Sequence, residues 1–120
     1  MERFLRGYFF NPTKGNLKLN EVVREILNYL KKEPQAKYEV IVGADSSSKE
    51  EPCFPVAVVV LRKKQGGRFF LKKVKYANRK FFSWRQRILE EVFLSIQLAT
   101  FLREQFEEIE KQSKKKLNCQ

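Results

Sequence analysis

The chain carries one aspartate, Asp45, against thirteen glutamates, and sets it in the run VIVGADSSS at residues 40–48. A lone carboxylate followed by hydroxyls, just past an apolar strand-like stretch, is a candidate metal-binding or catalytic group, because ligands of open α/β sheets collect at the carboxyl ends of strands. The same Gly-Ala-Asp-Ser-Ser string is also ordinary turn chemistry, in which Asp and Ser satisfy local backbone donors. Both readings stand on the residues alone.

A second chemistry lies in the charge. Between Glu51 and Glu90 there are eleven basic residues and no acid: Arg62, Lys63, Lys64, Arg68, Lys72, Lys73, Lys75, Arg79, Lys80, Arg85 and Arg87. The rest of the chain is neutral, so the whole formal charge of +11 comes from this third of the sequence. Such a segment is the expected footprint of an anion-binding surface, a track for a phosphate backbone. Tyr76 and Trp84 are the aromatics within it that could stack on bases, since the Phe residues are needed for the core. Contacts made mainly to phosphates would be sequence-tolerant and weakened by salt. The alternative is a solvated hairpin face whose lysines guard an edge against aggregation.

These groups need elements to position them. LNEVVREILNYLKKEP reads as an amphipathic helix, with Val22, Val23, Ile26, Leu27 and Leu30 at helical spacing, Asn20 as N-cap and Pro34 as stop. KYEVIVGA (37–44) reads as a central strand buried on both faces. Residues 54–63 and 68–76 read as a β-hairpin turning at QGG, with Pro55 near the strand start. SWRQ reads as a capping box opening a long helix over about 83–110. Its expected core stripe is Ile88, Val92, Ile96, Ala99, Leu102, Phe106 and Ile109. The tail from 111 to 120 is polar and expected to fray. Asp45 then sits just past the end of the first strand of a helix, three-stranded sheet, helix arrangement, in a single α/β domain over 1–120.

Several classes are excluded. At 120 residues and 42% hydrophobic content the chain is long enough for one core and is not a disordered segment. No apolar run is long enough to span a membrane, and MERFLRGYFF lacks the separate basic and apolar regions of a signal peptide, so a cytoplasmic location is expected. Cys53 and Cys119 fit no metal-ligand spacing and read as reduced thiols.

The run NPTKGNLKLNEVVREILNYLKKEPQAKYEVIVGADSS, the hairpin after it and then RILEEVFLSIQLA resemble the YkuK-type family of uncharacterised bacterial proteins, described as predicted ribonuclease H-like nucleases. The resemblance covers about residues 9 to 102. The family's Gly-x-Asp-Ser strand end is matched by Gly43, Ala44, Asp45 and Ser46, and its helix pattern by Glu91, Val92, Ser95, Ile96, Leu98 and Ala99, with Ile96 in place of Leu. What the resemblance implies is a ribonuclease H-like fold and a metal-dependent nuclease, in which carboxylates hold two divalent ions about 3.5–4 Å apart at a phosphodiester. Asp45 would be the central ligand and Glu91 the helix ligand for Mg²⁺ or Mn²⁺, which take oxygen donors. Glu91 is preferred to Glu90 only on the family pattern, since an exposed acid on an amphipathic helix is otherwise commonplace.

Family members continue past the long helix to a further strand with another aspartate, which this sequence does not contain. A shortened site is therefore expected to bind metal weakly, with Glu50 and Glu51 read as solvated loop charge. The strand at 37–44 is expected to keep an unpaired edge, and a homodimer joining edges or uncovered sheet faces is the expected remedy. Three functions follow: a metal-dependent nuclease, a catalytically deficient nucleic-acid-binding domain, and an oligomerising domain without a nucleic-acid role.

Overall fold

The computed structural model describes residues 5–47, 52–76 and 79–118. Its elements run β1 (Tyr8–Asn11), β2 (Gly15–Lys18), α1 (Leu19–Lys32), β3 (Tyr38–Ala44), β4 (Cys53–Arg62), β5 (Gly67–Lys75) and α2 (Trp84–Asn118). They form one antiparallel five-stranded sheet in the order β2-β1-β5-β4-β3.

The three strands expected from sequence are present, but the expected three-stranded sheet is wrong by a hairpin. β1 and β2 are four residues each, too short for alternation to declare them. Their turn is built by Asn11, whose Oδ1 accepts from the N–H of Thr13 and Lys14 at 3.0 and 2.9 Å, while Gly15 takes the positive φ of 77° that closes a three-residue loop. Asn11 Nδ2 also donates to Phe69 O at 2.9 Å, fastening the hairpin to β5.

Strand β4 shows how the layers lie. Phe54, Val56, Val58 and Val60 are fully buried, while the alternating Pro55, Ala57, Val59 and Leu61 are not. Both helices therefore cover one face. Their core combines Val22, Val23 and Ile26 of α1 with Leu94, Leu98 and Leu102 of α2 over Phe9, Phe54 and Phe70. The other face is open and apolar, with Phe10, Ile41 and Phe69 each more than 40% exposed.

Three further expectations are corrected. β3 is the edge strand, mostly exposed, instead of a central strand buried on both faces; one of its faces lies toward α2 and the other is open. The seam of α2 is rotated from the expected stripe: Ile88, Val92, Ile96 and Ala99 face outward, and Leu94 and Leu98 face the sheet, with Leu102, Phe106 and Ile109 as expected. The helix is apolar on both sides here, so spacing alone could not choose. Finally, α2 continues to Asn118 instead of ending near residue 110.

The caps follow the sequence more closely. Gln86 Oε1 accepts from the N–H of Phe82 and Ser83, and Gln86 N–H donates to Ser83 Oγ, which is the expected capping box. At α1 the start lies earlier than Asn20: the helix begins at Leu19, and Glu21 Oε1 accepts from Lys18 N–H at 3.0 Å.

Candidate functional site

The β3–β4 ladder runs on past Ala44, with Asp45 N–H donating to Pro55 O at 3.1 Å and Ser47 N–H to Cys53 O at 3.3 Å. Strand alternation therefore directs Asp45 toward the open face, beside Pro55 and Lys73 in register, and Ser46 toward α2. Ser46 joins the two candidate ligands. Its N–H donates to Asp45 Oδ1 at 2.8 Å and its hydroxyl donates to Glu91 Oε2 at 2.7 Å. Asp45 is exposed and Glu91 half-buried. Ser95 Oγ donates back to Glu91 O at 2.8 Å, anchoring that turn of the helix without occupying its carboxylate.

The neighbouring glutamate does different work. Glu90 is buried, accepts a hydrogen bond from the Tyr76 hydroxyl and pairs with Arg79 at 3.4 Å. Arg79 stacks on Tyr76 and Phe81, with its guanidinium 5.2 and 4.5 Å from their ring centroids. Burial and the Glu90 carboxylate push the Tyr76 phenol well above the usual tyrosine range. This cluster fixes the segment that leads into α2. It leaves Glu91 as the helix carboxylate that faces the end of β3.

Two carboxylates linked through one serine suit a hard cation, which needs oxygen donors and is content with one or two carboxylates plus water. Among the described residues no group of three His, Cys, Asp or Glu side chains comes together to hold a metal, and Glu50 and Glu51 lie outside those residues. Beside Asp45, Gly43 closes the row Phe10, Leu71, Ala57, Gly43 across the open face. A Cβ there would meet nothing within 4 Å, and its φ is not positive. The fold itself does not require that glycine.

The basic residues do not form one track. Lys73 and Lys75 lie on the open face near Asp45, and Lys80, Trp84 and Arg85 follow at the start of α2, all exposed. Arg85 packs over Trp84 at 5.4 Å. Lys63 and Lys64 are exposed in the β4–β5 turn at the opposite end, where Lys64 takes a positive φ of 65°. The others have internal partners. Arg62 donates to Tyr38 Oη and Tyr29 O, Arg68 stacks on Tyr29, and Lys72 lies on the helix-covered side and donates to Arg6 O. Burial lowers the Lys72 pKa. Sequence distance could not reveal this division, because neighbouring residues of a strand face opposite ways.

No helix among the described residues is long and apolar enough to cross a membrane. Comparison with curated proteins and with solved structures returned no significant match. Residues 21–120 match the family described as ribonuclease H-like, and the segment so matched holds β3, the Asp45–Ser46 strand end, the hairpin and the Glu91 helix. With five-sixths of its length covered by that match, the chain belongs to the ribonuclease H-like family.

Proposed function

We propose that the protein is a metal-dependent nuclease of the YkuK-type branch of the ribonuclease H-like family, acting on phosphodiester bonds of nucleic acid. The observation that carries this reading is the double engagement of Ser46 at the carboxyl end of β3, whose N–H bonds to Asp45 and whose hydroxyl bonds to Glu91. Asp45 and Glu91 would hold Mg²⁺ or Mn²⁺, which when bound supplies charge stabilisation at a phosphodiester and a more acidic water. Ser46 would position Glu91 by its hydroxyl. Gly43 supports the same reading: a glycine inside a strand costs about 0.5–1 kcal/mol, and where nothing in the fold needs it, close approach of a ligand backbone is a use for the gap. Lys73, Lys75, Lys80 and Arg85 border that end of the sheet and would neutralise flanking phosphates, with Trp84 available for stacking.

A second reading is binding without cleavage, favoured by the count of two carboxylates among the described residues where two-ion chemistry uses more. The open apolar face and the unpaired edge of β3 also favour a homodimer, the third expectation. The test is incubation with labelled single-stranded RNA, single-stranded DNA and an RNA–DNA hybrid in Mg²⁺ or Mn²⁺, beside Asp45→Asn. Metal-dependent cleavage lost in Asp45→Asn supports the nuclease. A salt-sensitive shift without cleavage in either protein supports binding alone, and absence of both removes the nucleic-acid role.

A further inference from the structure

The NPTKG turn plays no part in the carboxylate site, yet it forms one wall of a roomy cleft. That cleft, about 600 Å³, lies between the turn, the second half of α1 and the start of β5. It is at the far end of the sheet from Asp45, because Arg68 pairs with Val60 while Lys73 and Lys75 sit toward the Asp45 end. The β1–β2 hairpin also precedes the residues that match the family.

Its lining is cationic. Lys14, Lys31, Lys32 and Arg68 face one acid, Glu25, which is already paired with Lys14 at 3.5 Å. Lys31 and Lys32 are exposed and have no acidic partner among the described residues. Lysines in a last helical turn also suit the helix dipole, so charge alone would not make a site. Tyr29 adds an independent observation. It lines the cleft, is 4% exposed, and its hydroxyl is the one buried side-chain polar atom among the described residues without a hydrogen-bond partner. Such a group is costly and rare in folded chains. Two guanidinium groups, those of Arg62 and Arg68, also crowd the same ring at 4.1 and 4.5 Å, and neither is paired with a carboxylate among the described residues. An anion would relieve both features at once, accepting from the phenol and offsetting the crowded positive charge.

We propose that this cleft is a second site, which binds the phosphate of a nucleotide-sized ligand through Lys31, Lys32 and Arg68, with the Tyr29 hydroxyl as a donor. The volume favours a nucleotide over a bare phosphate, since clefts of about 300–1,000 Å³ are the size that holds small organic ligands. Thr13 and Asn28 supply further polar groups on the lining. The turn is set in place by Asn11 before any ligand arrives.

The site is testable by amide chemical shifts of the ¹⁵N-labelled full chain titrated with a nucleoside 5′-monophosphate, the same nucleoside without phosphate, and inorganic phosphate. The expected result is that the nucleotide moves the amides of Thr13, Lys14 and residues 28–32, and that the nucleoside does not. Affinity should fall about tenfold or more in Lys31→Gln/Lys32→Gln, and by a similar factor in Tyr29→Phe, as for loss of a hydrogen bond to a charged group. Tyr29→Phe should fold at least as well as the parent, because it removes an unpartnered buried hydroxyl. Asp45→Asn should bind the nucleotide unchanged, which separates this site from the carboxylate reading. No shift at millimolar nucleotide, equal shifts with the nucleoside, equal affinity for inorganic phosphate, or undiminished affinity in the double lysine variant would each overturn the proposal.

Discussion

Ser46 Oγ lies 2.7 Å from Glu91 Oε2, a contact across 45 residues that ties the end of the edge strand to the second turn of the long helix. A serine hydroxyl that donates to Glu91 must yield or rotate when a cation takes the carboxylate. Ser46→Ala is therefore expected to keep Mn²⁺ binding within about threefold of the parent, whereas Asp45→Asn and Glu91→Gln each weaken it by about tenfold or more, as expected for loss of one of two charged ligands. Calorimetric titration with Mn²⁺ gives the order directly. Equal affinity in all four proteins would remove these carboxylates from any metal site.

Glu90 and Glu91 are adjacent, and their replacement should separate stability from activity. Glu90→Ala strands the Tyr76 hydroxyl and frees Arg79, so it is expected to cost about 1–3 kcal/mol in urea denaturation. Glu91→Ala loses one bond from a half-exposed serine and should cost under about 1 kcal/mol. Reversal of that order would show that the two carboxylates had been assigned the wrong way round.

Tyr76 gives a pH signature. Its phenol is harder to ionise in the folded chain than in the unfolded one, so the unfolded state loses its proton first as pH rises past about 10. The stabilisation is thus fully present at neutral pH and is lost in alkali. The parent should lose stability above about pH 10, and Tyr76→Phe should lose less over the same interval. Parallel denaturation curves for the two proteins between pH 8 and about 11 would contradict this.

Glycines divide in the same way. A Cβ on Gly67 would lie 2.5 Å from the Val60 carbonyl oxygen, so Gly67→Ala should destabilise by about 1–3 kcal/mol. Gly43→Ala meets open space and should leave the melting temperature unchanged or slightly raised. If a substrate backbone approaches there, the same variant should lose nucleic-acid binding or cleavage. A stable Gly43→Ala protein with full activity would mean that the gap has no functional use.

The register of α2 is checked by a pair of substitutions. Leu94→Ala, at the buried seam, should cost about 2–5 kcal/mol, and Phe93→Ser, on the outer side, should stay within about 0.5 kcal/mol.

How much of this was legible in the sequence depended on whether a pattern had one solution. The β4–β5 hairpin and the Ser83 cap were legible, since QGG and SWRQ admit few alternatives. The seam of α2 was not, because Leu89, Phe93 and Ile96 are as apolar as Leu94 and Leu98, and only the sheet decides between them. Asp45 was singled out as the lone aspartate past a strand and Glu91 only by the family pattern, and the serine between them was matched but given no part to play. The basic run concealed its division between two faces and two ends of the sheet. Tyr29 gave no signal at all: a tyrosine on an apolar helix face reads as core until its hydroxyl is found without a partner.

The length of α2 has a hydrodynamic consequence. Thirty-five helical residues make a rod of about 50 Å, longer than the width of the five strands beneath it, and the molecule measures 57 × 30 × 24 Å. Such a body does not tumble as a sphere. Amide vectors in α2 lie along the helix axis and should relax as though attached to a larger protein, while those of the strands point sideways to neighbouring strands and sample the faster spinning motion. The ratio of transverse to longitudinal ¹⁵N relaxation should therefore step upward from sheet to helix. That step would be an orientation map of the fold that owes nothing to side-chain positions.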